Sequence, residues 1–322
     1  MKKGLVLGLA VSMMMSVMAG CGQIGNTNGE MKKIGIVQYV EHPSLDTIRE
    51  SIISELAEEG YVEGKNLEIE YENAQADQSN LNSIASKFVG DDVDLIVAIA
   101  TPAAQSIAAA TSDIPIIFSA VTDPVGAKLV EDLDHPAGNI TGTSDAIPVD
   151  QVFELCKELT PDVKTFGFLY TASEVNSQSV INEAKTLSAD YGFTYEESTI
   201  TNSSELQQAA QILASKVDAI YVPIDNGIAA AMPVLSEVCK EAKIPVYVGA
   251  DSMVSDGGYA TVGVNYSDLG AKTGEMVGKV LGGSSVADIP VATLDNFYKV
   301  INETTANAIG APNNSEGATI VK

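Results

Sequence analysis

The sequence predicts an α/β protein built as two doubly wound parallel-sheet lobes, and three observations carry that expectation. Short, almost continuously apolar β-branched runs alternate with amphipathic segments along the body, the pattern of parallel strands covered by helices on both faces. The rhythm restarts after about residue 147 with matching parts. Val93-Asp94-Leu95-Ile96-Val97 corresponds to Val217-Asp218-Ala219-Ile220-Tyr221, and Ile114-Pro115-Ile116-Ile117 to Ile244-Pro245-Val246-Tyr247. The chain has 322 residues, enough for two domains of ordinary size.

Each element follows from its local pattern. Residues 33–39 form an apolar run and read as a buried strand. Residues 44–60 place Leu45, Ile48, Ile52, Ile53 and Leu56 on one helical face, with Gly60 as the stop. Residues 66–71 alternate as a strand, 80–88 are helical, 93–100 are a strand, and Pro102 opens a helix that runs to Ala110. Residues 114–118 close the first set. The second set has strands at 165–170, 193–200, 217–223 and 244–249, and helices at 178–191, 204–216 and 227–242. The stretch 259–264, the helix 267–281 and a strand near 297–301 are left over. They are expected to cross back and forth between the lobes.

The N-terminus is an address. Met1-Lys2-Lys3 precedes an apolar run from Gly4 to Ala19, shorter than the roughly 20 residues that span a bilayer. Met18-Ala19-Gly20-Cys21 resembles the lipobox of bacterial lipoproteins, in which the cysteine takes the lipid. Residues 1–20 are therefore expected to be a signal peptide. Cys21 and the Gly/Asn-rich stretch to residue 30 are expected to form a lipidated, flexible tether. The body then faces outward from a cell membrane, held by lipid only.

Composition removes several function classes. A formal charge of −25 repels phosphate backbones, so nucleic acid is not an expected partner. The two histidines, His42 and His135, have no companion at metal-ligand spacing. No phosphate-binding or dinucleotide fingerprint is present, and no cofactor is expected. An enzyme on this architecture needs a nucleophile at a strand end. Cys156 and Cys239 instead fall inside helical patterns, and no Gly-x-Ser-x-Gly elbow occurs. Both cysteines read as small core residues; a bridge between them is not set by sequence.

Five segments carry a more specific likeness: residues 35–46, 100–105, 119–124, 222–226 and 258–270. They resemble the ABC-importer substrate-binding lipoproteins of the tryptophan and aromatic amino acid family, over residues 32 to 311. The resemblance implies a type I periplasmic-binding-protein fold, with three crossover strands and a ligand trapped between the lobes. It places lobe one at 31–145 plus 263–289, lobe two at 146–262 plus 290–310, and a tail at 311–322. It implies capture of an L-amino acid, aromatic in this family, and delivery to a permease with its ATPase. The same fold binding a sugar, nucleoside or purine is the alternative, although the chain has no Trp to stack a sugar. A lipoprotein that senses its ligand instead of importing it is another.

Ligands of open parallel sheets sit beyond the carboxyl ends of the strands. Those loops here are 39–44, 101–105 and 119–124 in one lobe, and 171–177, 225–227 and 250–253 in the other. Thr101 with the amide groups after it, in the segment that Pro102 and Ala103 open, and Ser119 with Thr122, are candidate holders of a ligand carboxylate. Asp225 or Asp251 is the candidate partner of its ammonium, with Glu174 and Asp123 as second choices. Asn176, Ser177 and Asn226 complete the polar set. Tyr39 and Tyr170 are candidate walls for a ring, whereas Phe118 and Tyr221 lie deeper and read as core. His42 either donates to the ligand or caps its turn. Thr101 and Ser119 also suit helix caps and turns, and Asp123 before Pro124 suits a turn.

Overall fold

Both sheets repeat one strand order. The computed structural model describes residues 31–322; the expected signal peptide, Cys21 and tether lie outside the described residues. In the first lobe β1 (Lys32–Gln38), β2 (Leu67–Asn73), β3 (Leu95–Ile99), β4 (Ile116–Ser119) and β5 (Ile140–Ser144) pair in the order 2-1-3-4-5, all parallel. Helices α1 (Pro43–Glu58), α2 (Gln78–Gly90) and α3 (Thr101–Ala110) fill its first three connections.

The second lobe begins with α4 (Val149–Leu159) and continues as β6 (Thr165–Thr171), α5 (Val175–Ser188), β7 (Thr194–Ile200), α6 (Leu206–Ala214) and β8 (Ala219–Val222). Then come α7 (Asn226–Ala229), α8 (Met232–Ala242), β9 (Val246–Val248), α9 (Asp251–Ser255) and β10 (Ala260–Gly263). Its strands repeat the order as β7-β6-β8-β9-β10. The chain then returns to the first lobe with α10 (Tyr266–Leu281) and β11 (Ala292–Thr293), which pairs with β5. It ends in the second lobe with β12 (Tyr298–Asn302), antiparallel to β10, then α11 (Glu303–Ile309) and β13 (Thr319–Val321).

The fold class matches the sequence expectation, and the differences are local. The interval 140–144, with two threonines and a serine, reads poorly as a strand, yet β5 is wholly buried. The helix expected over 227–242 is two helices, α7 and α8, parted at Ala230-Ala231. The first-lobe limit at 289 falls short of β11, which still pairs with β5. The segment 311–322 carries β13, a strand of the second sheet.

The three crossings follow β5, β10 and β11. The second delivers α10 onto α1, and small residues let the helices touch. A Cβ on Gly270 would stand 2.7 Å from the Ile48 carbonyl oxygen, and one on Gly274 would stand 2.6 Å from Glu55 Cβ. The second-lobe core is aromatic: Phe166 packs edge-on to Phe193 at 4.9 Å and stacks on Phe153 at 5.3 Å. Tyr221 and Phe118 are fully buried, as core residues should be. Cys156 and Cys239 are buried free thiols, which burial pushes up to about 11 and about 12.

Candidate functional site

In the order 2-1-3-4-5 the chain reverses direction across the sheet between β1 and β3, and between β6 and β8 in the copy. Crevices open at such points. The loops leaving these four strands carry Tyr39, Ala100-Thr101, Thr171 to Glu174, and Asp225-Asn226. They enclose a cavity of about 690 Å³, with Tyr39, Pro102 and Gln105 on one lobe and Thr171, Glu174 and Gly227 on the other. Ala100, between β3 and α3, stands at φ 80°, a positive φ that a β-carbon disfavours. That turn aims the first residues of α3 across the cleft.

Among the described residues lining this cavity, Glu174 is the one carboxylic acid, and no basic side chain joins it. Its Oε2 accepts from Asn176 Nδ2 (3.0 Å), Asn226 N (3.1 Å) and Asn226 Nδ2 (2.6 Å), and its Oε1 accepts from Gly227 N (2.9 Å). Burial, then the charge of Asp225, raises it to about 7 against the pull of those donors. Oε1 keeps a second lone pair for a cationic guest. Tyr39 faces the same charges: burial first, then Glu174 and Asp225, push its phenol up to about 12.

Arg49, the chain's single arginine, stands behind that loop and not in the cavity. It donates to Gln38 (3.0 Å), Asp46 (3.1 Å) and Tyr71 OH (2.9 Å), and lies 4.6 Å above the Tyr71 ring. Gln38 in turn donates to the Val40 carbonyl at 2.9 Å. The loop that carries Tyr39 is thereby fastened from both sides.

A second, much smaller void of about 10 Å³ lies between the lobes behind Glu174, walled by His42, Thr122, Asp145, Asn176, Asn226 and Tyr266 among others. Burial raises Asp145 to about 6 and lowers His42 to about 4. His42 Nε2 is 3.5 Å from Asn226 Oδ1. Ser44 and Ser252 hydroxyls meet across the cleft at 2.6 Å, and Ser179 donates to Asp123.

The structure thus brings Tyr39, Pro102 and Glu174 to the large cavity, and His42, Thr122, Asn176, Asp225 and Asn226 to the small void. Thr101 is buried with its hydroxyl unpartnered, and Ala103 is buried in α3.

Other candidates are engaged elsewhere. Asp225 accepts four hydrogen bonds, from Thr171 N (2.6 Å), Thr171 Oγ1 (2.8 Å), Ser177 Oγ (2.8 Å) and Ile228 N (2.9 Å), which use up its lone pairs. Ser119 meets Thr273 of α10 at 2.7 Å and lines neither space. Asp123 accepts from Gly126 N at 2.8 Å, the turn role open to it. Tyr170 donates to Glu197 at 2.5 Å on the neighbouring strand, so its ring is no cavity wall. Asp251 accepts from Tyr298 OH at 2.6 Å and lines a separate space of about 230 Å³.

Sequence reasoning missed Asp145, and along α3 it stopped at Gln105. Asp145 directly follows β5, so the strand-end rule would have found it had β5 been read as a strand. Gln105, Ser106 and Ala109 line the cavity with Pro102, and their helical spacing from it was visible beforehand.

A family model described as ABC transporter substrate binding protein matches residues 33–315. A tyrosine-binding protein of Clostridioides difficile is 44% identical over 318 residues, covering 96% of this chain and 92% of that protein. A Streptococcus pneumonia ABC domain solved in complex with L-Trp is 42% identical, with TM-score 0.88 over 91% of this chain and all of that one. A ligand-free, open substrate-binding protein with adhesive properties from Clostridium difficile is 45% identical, with TM-score 0.70 over 91% of this chain and 99% of that one. With a family model over most of its length and a relative this similar along 96% of it, the chain belongs to the ABC transporter substrate-binding protein family.

Proposed function

We propose that this protein captures an L-aromatic amino acid, tyrosine or tryptophan, between its lobes outside the cytoplasm and delivers it to an ABC permease. The observation that carries the reading is the cavity's charge pattern: one carboxylate, Glu174, faces an aromatic wall, Tyr39, with no cationic side chain lining the space. A zwitterion suits that pattern. Its ammonium pairs with Glu174, and its carboxylate meets the free amide groups that open α3, with the Thr101 hydroxyl beside them. Pro102, Ala230 and Ala231 join Tyr39 around the ring, and Gln78, Gln105 and Ser106 offer partners to a phenol or indole N–H. Two relatives support the ligand class, one named for tyrosine and one solved with L-Trp.

Lobe closure is part of the same reading. At nearly equal identity and coverage, this chain superposes better on the tryptophan complex than on the open, ligand-free protein. The cross-cleft contacts of His42, Ser44 and Asp123 fit a closed form. Closure is favoured because only the closed state offers both lobes' contacts to one guest.

Calorimetry against aromatic amino acids, sugars and nucleosides tests the ligand. One tyrosine or tryptophan per chain is expected, with a smaller scattering radius of gyration when bound. At 100 times its dissociation constant the ligand should add ~2.7 kcal/mol to stability. Clear binding of a sugar or nucleoside, with no heat from any aromatic amino acid, would reject the assignment.

The anchor is a separate proposal. Cys21→Ser should move the protein from the membrane fraction to the soluble one while its ligand affinity stays the same. A variant that still pellets with membranes would rule out the lipid tether.

A further inference from the structure

The walls of the small void have hydrogen-bond polarities that can be worked out group by group. Asn226 Nδ2 donates to the Glu174 carboxylate at 2.6 Å. Its Oδ1 is therefore the atom facing His42 Nε2 at 3.5 Å, and Nε2 carries the ring proton. Burial holds His42 neutral, down to about 4, so Nδ1 is a lone-pair acceptor. Asn176 Nδ2 donates to Glu174 Oε2 at 3.0 Å and to the Ile224 carbonyl at 2.7 Å. Its Oδ1 is an acceptor too. His42 Nδ1 and Asn176 Oδ1 are both buried without a hydrogen-bond partner among the described residues. The two carboxylates in the wall are already engaged: Asp145 accepts from Thr122 at 2.8 Å and from Tyr266 at 3.4 Å, and Asp225 accepts from its four donors.

Two buried acceptors cannot satisfy one another, and leaving either unpaired is costly. Both belong to residues that line a void of about 10 Å³, close to the space one water requires. We propose that this void is a binding site for a single water molecule, which donates one hydrogen bond to His42 Nδ1 and the other to Asn176 Oδ1.

His42 belongs to the first lobe and Asn176 to the second, so the site is complete only when the lobes are together. The water is an interlobe latch. It also communicates with the ligand cavity, because Asn176 and Asn226 are the groups that hold Glu174. The inference rests on the closed arrangement and is independent of the ligand's identity. An ammonium ion offers the same donors in the same size, and is the rival occupant.

High-resolution crystal structures, with and without L-tyrosine, should show one peak within hydrogen-bond distance of both acceptors wherever His42 faces Asn226. Nitrogen-15 NMR should find His42 as the Nε2–H tautomer. Closed lobes without the peak, an Nδ1–H tautomer, or lobes that never bring His42 to Asn226 would each overturn the site. Exchanging sodium for ammonium at constant ionic strength should leave Tm unchanged; an ammonium-dependent Tm rejects water as the occupant. His42→Phe should lose the peak and release L-tyrosine about tenfold faster with association unaltered. Unchanged release would mean the water is no latch. Failure of L-tyrosine to bind would strike the ligand assignment alone, since ligand-free crystals and the tautomer still report on the site.

Discussion

Glu174→Gln should weaken binding of the aromatic amino acid by at least 100-fold, about 3 kcal/mol, because the ligand's ammonium would be buried without its counter-charge. The change keeps the side chain's size, but its amide faces the Asn226 and Gly227 N–H groups, so a moderate fall in Tm accompanies it. pH dependence separates the two effects. Without ligand, burial and Asp225 hold Glu174 up to about 7; a bound ammonium stabilises the carboxylate and lowers it. The free protein therefore carries more protons than the complex near and below pH 7, and binding releases one. Affinity should fall as pH drops below 7, by up to tenfold per unit, and the Gln variant should lose that slope. Calorimetry in buffers of different ionisation enthalpy reads the released proton directly. A Gln variant that binds like the wild type would place the ammonium elsewhere.

Asp225→Ala should act on folding instead. Its carboxylate fills four donors that join the end of β6, the start of α5 and the first turn of α7. Truncation leaves the Thr171 and Ile228 amides buried and unpaired, a loss of about 3–5 kcal/mol. For a protein of this size that lowers Tm by about 10 °C. Circular dichroism melting checks it. An unchanged Tm with abolished binding would restore Asp225 as the ammonium partner.

The case of Asp225 shows what was legible in the sequence and what was not. Strand ends were readable, because apolar β-branched runs mark parallel strands, and so the loops holding Tyr39, Thr101 and Glu174 could be named. The direction in which each side chain spends its hydrogen bonds was not readable. Asp225, Ser119 and Tyr170 stand at strand ends like true cavity residues. Partners distant in sequence, Thr171, Thr273 and Glu197, claim them. Glu174 ranked below Asp225 for the same reason: the vacant lone pair that sets it apart depends on the arrangement of the Asn176 and Asn226 amides. β5 escaped notice because its threonines are satisfied by α10 and by the segment before β11, as in Thr143 to Thr273 (2.9 Å) and Thr141 to the Ile289 carbonyl (2.8 Å).

The threefold crossing of the chain has a consequence for how the molecule comes into being. The first sheet lacks its outermost strand, β11, until residue 293 has emerged, and α1 lacks its covering helix until residue 281. Neither lobe is a continuous piece of chain, so the usual order, N-terminal domain first during synthesis, is not open to it. A growing chain held short of Gly270 exposes the face of α1 that receives Gly270 and Gly274, and the Ser119 and Thr143 hydroxyls still lack Thr273. Both halves should acquire protection from hydrogen exchange late and together. A polypeptide still being threaded through a narrow passage would then hold no finished domain to obstruct it.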